Sequence, residues 1–257
     1  MMRKSFDFTF RIFTVVSLLT LIIGSQGVTS ARAAGIRYVK PTASGLGDCS
    51  SWENACTLIT ALSSAISGDE IWASAGIYLP TTLSTDRNAT FQLIDGVAIY
   101  GGFSGTETGR EQREPETNLT ILSGDIDGND SQTPIITDIT TVTGNSSNSY
   151  HVVTGADGAV LDGFTITAGY ADGSDPNNKG AGLYLNSSSP TVSNVVFKGN
   201  YAVAGAAVYN TFGQPILTDI SFIGNNAENV GGGLCNSTGD AVLDRVNFTG
   251  NTAQFGA

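Results

Sequence analysis

The chain has 257 residues with 32 glycines, 12 basic against 23 acidic residues, a formal net charge of −11 and a pI near 4.3. That balance argues against nucleic acid and against docking on anionic lipid, because little is present to neutralise phosphates. Glycine without a three-residue period excludes collagen, one histidine with three cysteines leaves little for zinc, and 40% hydrophobic residues argue for a packed core rather than disorder.

Residues 1–33 read as a secretory signal peptide. Arg3, Lys4 and Arg11 precede an apolar run from Ile12 to Ile23, and Ala31-Arg32-Ala33 puts small residues at the cleavage positions. The run is shorter than the roughly 20 residues of a membrane span. Cleavage after Ala33 would remove four basic residues and one acidic, taking the charge from −11 to −14. No later segment is apolar enough to span a bilayer. A mature domain over 34–257 is therefore expected to be secreted or at the cell surface, the outer membrane included. Export makes disulfides possible, and Cys49 with Cys56, seven apart, is the expected pair. Cys235 has no obvious partner and reads as a buried thiol.

One stretch has a helical period. Ala55, Leu58, Ile59, Leu62, Ala65 and Ile66 predict a short amphipathic helix over about 53–67, with Ser50 and Glu53 as a capping box and Gly68 at its end. After it the period becomes two. Strands are predicted at 71–78, 91–100, 119–122, 150–153 and 161–167, separated by turns such as Gly101-Gly102 and Ser123-Gly124-Asp125.

From about residue 159 the sequence repeats. Phe197-Lys198-Gly199-Asn200 returns as Phe222-Ile223-Gly224-Asn225 and as Phe248-Thr249-Gly250-Asn251. Val192, Leu217 and Leu243 keep the register, as do Val195, Ile220 and Val246, and Tyr184, Tyr209 and Cys235. An earlier copy at Leu161, Phe164 and Ile166 carries its extra residues at 169–180. A period of about 25 with insertions at one corner means stacked coils. The predicted fold is all-β, a right-handed parallel β-helix, with the short helix capping its N-terminal end. Phe197, Phe222 and Phe248 are expected to stack inside, and Asn200, Asn225 and Asn251 to form a structural ladder at a turn. The chain stops partway through a coil with no cap, so its C-terminus is expected to be truncated.

These features resemble secreted bacterial proteins of the pectin-lyase-like fold over roughly residues 36–257. The matching pieces include Trp52-Glu53-Asn54-Ala55-Cys56, Gly76-Ile77-Tyr78, Leu122-Ser123-Gly124-Asp125 and Leu161-Asp162-Gly163-Phe164. The 25-residue units are similar to the repeats of chlamydial polymorphic outer-membrane proteins, which pair F-x-x-N with G-G-A-I. Here Gly205-Ala206-Ala207-Val208 and Gly232-Gly233-Leu234 match that second half in part. The resemblance implies either a surface scaffold or an enzyme that cleaves acidic polysaccharide.

Candidate chemistry is sparse. Asp125, Asp127, Asn129 and Asp130 beside Gly128 have the spacing of a calcium-binding turn, against the plainer reading of a solvated acidic loop. Asp172-Gly173-Ser174-Asp175 is a weaker loop of the same kind. Asp219, Asp244 and Arg245 fall on adjacent coils as a conceivable acid–base site, against a cross-coil salt bridge. His151 lies in an alternating strand and reads as packed. The signatures of polygalacturonases and pectate lyases are not found. The expected function is a non-catalytic scaffold for adhesion or for binding polysaccharide or cell-surface glycan, with no nucleic-acid partner. The alternative is a polysaccharide lyase or glycoside hydrolase, and calcium is the one cofactor suggested.

Overall fold

The computed structural model describes residues 33–256, and the signal peptide expected over 1–33 lies almost wholly outside them. The chain is an all-β parallel β-helix with one α-helix among the described residues. Every strand pairing is parallel, as stacked coils of one hand require. Three sheets run along the solenoid. The longest has two side-by-side rows, from Ile36–Val39 to Val242–Asp244 and from Gly76–Tyr78 to Asn247–Thr249. The second runs from Phe91–Gln92 to Leu234–Asn236, and the third from Tyr170–Ala171 to Asn226–Val230.

The double row of the long sheet has a local cause. In Thr191–Lys198, Val192, Val195 and Phe197 point inward, a spacing of three and then two. Strict alternation would turn one of them outward. Asn194 resolves the conflict with a left-handed backbone, φ 52°, which resets the phase. The same kink recurs at Gly163, Asp219 and Arg245, so a column of left-handed residues divides the sheet. Asparagine and aspartate tolerate this region, whereas at Arg245 it costs on the order of 1 kcal/mol.

The interior of the regular coils is a set of columns. Phe197 and Phe222, both fully buried, stack with centroids 5.3 Å apart; Phe248 continues the column 4.8 Å from Phe222 but, contrary to expectation, stands exposed rather than inside. Such stacks add about 0.5–1.5 kcal/mol beyond the area they bury. At the turn, the Asn200 backbone N–H and Nδ2 both donate to Asn225 Oδ1, at 3.1 and 3.0 Å. Asn225 repeats the pattern with Asn251, and its Nδ2 also reaches Phe197 O at 2.9 Å. A second amide ladder joins Asn210 Nδ2 to Asn236 Oδ1 at 2.6 Å in the neighbouring sheet.

The helix is shorter than its sequence period. It spans Leu58–Ser64, with Thr57 rather than Ser50 as its N-cap. Cys49 and Cys56 form the disulfide. Residues around them are drawn into pairing with Ile36–Val39, through Tyr38 N to Cys49 O and Lys40 N to Cys56 O, which leaves 50–56 as a closed loop. Leu58, Ala61 and Leu62 pack into the same apolar core as Val39, Ile71 and Phe91, while Ile59 and Ile66 stay part-exposed. The predicted strand over 71–78 is broken at Ala75 into Glu70–Ser74 and Gly76–Tyr78, and that over 91–100 keeps only its ends. No helix among the described residues is long and apolar enough to cross a membrane.

Candidate functional site

The early coils differ from the later ones in carrying long excursions. One of them, residues 104–118, leaves Ala98–Phe103 and folds back as a wall over the long sheet. Its base is fixed from several sides. Trp52 Nε1 donates to Glu107 O at 2.9 Å, within a cluster where Trp72 stacks on Phe103 at 4.8 Å. The Glu107 carboxylate accepts the backbone N–H of Ser104, Gly105 and Thr106. Although partial burial works the other way, these amides hold its pKa below the usual range. Glu114 N donates to Gly102 O at 2.7 Å. Gly102 has φ 93° and lies so close to Pro115 that a Cβ there would sit 2.7 Å from its Cα.

Beneath the wall, Arg113 crosses to the next level. Its Nη2 lies 2.5 Å from Asp162 Oδ1, and its Nη1 donates to Gly101 O at 3.2 Å. Asp162 also accepts from Ser193 Oγ and Asn194 Nδ2 at 2.6 and 3.1 Å. The wall is thereby tied to the double row of the sheet.

Wall and sheet enclose an open groove of about 930 Å³. The wall contributes Glu114, Pro115, Glu116 and Thr117, Leu119 follows at its foot, and successive coils contribute Phe164, Val196, Asn194 and Asp219. Glu114, Glu116, Leu119 and Asp219 are exposed. The groove therefore crosses three coils and combines a narrow apolar floor with hydroxyl, amide and carboxylate edges. Its volume is at the upper end of that of sites for drug-sized ligands.

Asp219, Asp244 and Arg245 do come together. Arg245 Nε and Nη2 contact Asp219 Oδ1 and Oδ2 at 2.6 and 2.8 Å, and its Nη1 contacts Asp244. The forked hydrogen bond to Arg245 lowers the Asp219 pKa. An exposed carboxylate held ionised in this way is a poor proton donor, and a guanidinium held by two carboxylates is a poor base.

The acidic turn is divided. Asp125 and Asp130 are buried, whereas Asp127 and Asn129 are exposed. Asp125 Oδ1 accepts from Asn129 N at 3.1 Å, and Asp127 accepts from Asn129 Nδ2 at 2.8 Å. Asp130 turns inward, where its Oδ2 accepts from Asn148 Nδ2 at 2.8 Å. Burial, with the charges of Asp125 and Asp127, raises its pKa to about 6. Among the described residues no three His, Cys, Asp or Glu side chains are grouped to hold a metal. In the second loop, Asp172 pairs with Arg87 at 2.6 Å and Asp175 with Lys179 at 2.8 Å. His151 is packed, stacked on Tyr184 at 4.8 Å, and burial lowers its pKa. Cys235 is a free, half-buried thiol in the column of Tyr184 and Tyr209.

The groove was not visible from the sequence. Its wall has no period, and its anchors Trp52, Gly102 and Arg113 are scattered along the chain. The second amide ladder had a signal, since Asn210 and Asn236 occupy equivalent positions of the repeat.

No family model, no curated protein and no solved structure matches the chain. Of the resemblance drawn from sequence, the parallel β-helix is what the structure shows.

Proposed function

We propose that the protein is a secreted or cell-surface β-helix scaffold that binds glycan without transforming it, within the broad type of pectin-lyase-like and polymorphic outer-membrane repeat proteins. The groove under the 104–118 wall carries this reading. It is long, open and fixed in shape, with a C–H-compatible floor at Val196 and Leu119 and polar edges at Thr117 and Asn194. A binding surface built on stacked coils needs no moving part, and preformed edges lower the cost of ordering a polymer. Export is supported by the signal-peptide pattern and by the Cys49–Cys56 bridge, which suits an oxidising compartment.

The second reading is a polysaccharide lyase or hydrolase for acidic polysaccharide, favoured by the position of Asp219 on the groove. Against it stand the paired state of Arg245 and the ionised state of Asp219. One experiment separates the two. Oligosaccharide retention and reducing-end release are measured for the parent, for Leu119→Trp, which fills the groove, and for the Asp219→Ala, Asp244→Ala double variant. Retention without turnover, lost in Leu119→Trp, supports the scaffold. Turnover lost in the double variant establishes the enzyme, and no retention of any glycan removes the binding reading.

A further inference from the structure

We infer that the groove takes a cationic glycan, one bearing free amino groups such as a glucosamine polymer, rather than a polyuronate. The inference rests on the glycan-binding reading above and adds the charge of the ligand.

The charged side chains that line the groove, Glu114, Glu116 and Asp219, are all acidic. Glu114 and Glu116 are exposed on its wall, and among the described residues neither carboxylate has a hydrogen-bond or ion-pair partner. Every guanidinium at the groove is already matched. Arg113 is held against Asp162, and Arg245 against both Asp219 and Asp244, so that last trio carries one net negative charge. Lys198, two residues beyond Val196 on the same outward face, is not among the lining residues. The lining thus presents two unpaired carboxylates, Glu114 and Glu116, and a third, Asp219, matched by Arg245, with no positive side chain among the lining residues. A polyuronate laid here would meet repulsion along its length, and a polymer of ammonium groups would meet attraction.

A basic peptide has the same charge, and the geometry disfavours it. Peptides that bind sheets engage an open strand edge, where main-chain groups find partners. The groove lies on a sheet face whose strands are paired on both sides, Thr165–Thr167 and Thr191–Lys198 among them. A peptide main chain would leave its N–H and C=O groups poorly paired there. A sugar brings hydroxyl groups that can be met singly by Thr117 and Asn194, and an apolar ring face that can lie on Pro115, Leu119 and Val196.

The test titrates the full chain with four probes at low salt: a glucosamine hexamer, its N-acetylated counterpart, a galacturonate hexamer and hexalysine. The same set is run on Glu114→Gln, Glu116→Gln and on Leu119→Trp. The expected result is preferential binding of the glucosamine hexamer, roughly five-fold or more weaker in the double Gln variant and sharply weakened by salt. Leu119→Trp should abolish it. Equal or tighter binding of the N-acetylated or galacturonate hexamer, sensitive to Leu119→Trp, overturns the charge assignment and leaves the glycan reading standing. Hexalysine binding with no sugar bound, or no binding of any probe, overturns both.

Discussion

The two halves of the solenoid solve the same packing problem by different means. From Leu183 onward the coils are nearly identical, and each is locked to the next by a phenyl ring and an asparagine at fixed positions. Before that, between Ile36 and Ser123, pairing partners lie at uneven sequence distances, and the stack is held by one-off devices: the Cys49–Cys56 bridge, the Trp52–Trp72–Phe103 cluster and the Arg113–Asp162 pair. Regular coils give cheap stability through repetition. Irregular coils give up repetition and gain a wall, and the wall creates the groove.

Phe222→Ala should have the largest effect and fall on the repetitive half alone. Phe222 is fully buried between two stacked rings, so its removal should cost about 3–5 kcal/mol in denaturant unfolding. Because each coil touches only its neighbours, hydrogen exchange should rise in 191–204 and 242–249 while 70–123 stays protected. Uniform loss of protection would mean that the halves are not separable.

Gly102→Ala attacks the other half. The added methyl meets Pro115 and the backbone stays at positive φ, so a loss of about 1–3 kcal/mol is expected, with the wall displaced. Glycan retention should fall while the aromatic stack of the later coils keeps its near-UV signal. Unchanged retention would detach the groove's shape from the wall's anchor.

The smallest effect sharpens the picture of the acidic turn. Asp130 has a pKa near 6 in the folded chain, raised by burial and by Asp125 and Asp127 above that of an exposed aspartate. The folded state therefore binds more proton than the unfolded state between roughly pH 4 and 6, and stability falls as pH rises through that window. Asp130→Asn should remove this slope and stabilise the protein at pH 7.5 by about 1 kcal/mol, read as Tm against pH. A variant less stable at pH 7.5 would show that the carboxylate is needed ionised.

The same contrast explains what could be read beforehand. Phe197, Phe222 and Phe248 recur at near-constant spacing, so one periodic pattern revealed coil, interior and turn together. The helix was legible as a period and misplaced at its start, because the demand of Cys49–Cys56 for a closed loop beside Tyr38 comes from pairing 11–18 residues away. The acidic turn was legible as composition. Which way each carboxylate points depends on Asn148, far along the chain, and so Asp130 inside and Asp127 outside could not be separated. Arg245 between Asp219 and Asp244 was placed by alignment of coils, and its fork geometry was not.

The asparagine ladder also decides how the protein would behave under tension. Its bonds, from Asn200 to Asn225 and from Asn225 to Asn251, link one coil to the next and so run along the direction of a pull on the solenoid. Loaded from one end, they would fail in sequence rather than together, one rung at each event. Each coil of the 25-residue register released in this way would lengthen the tether by roughly 85 Å, at about 3.4 Å per residue. A molecule fixed at a surface and pulled by its bound polymer would then yield in equal steps from the repetitive end, while the disulfide-closed end and the groove wall kept their shape.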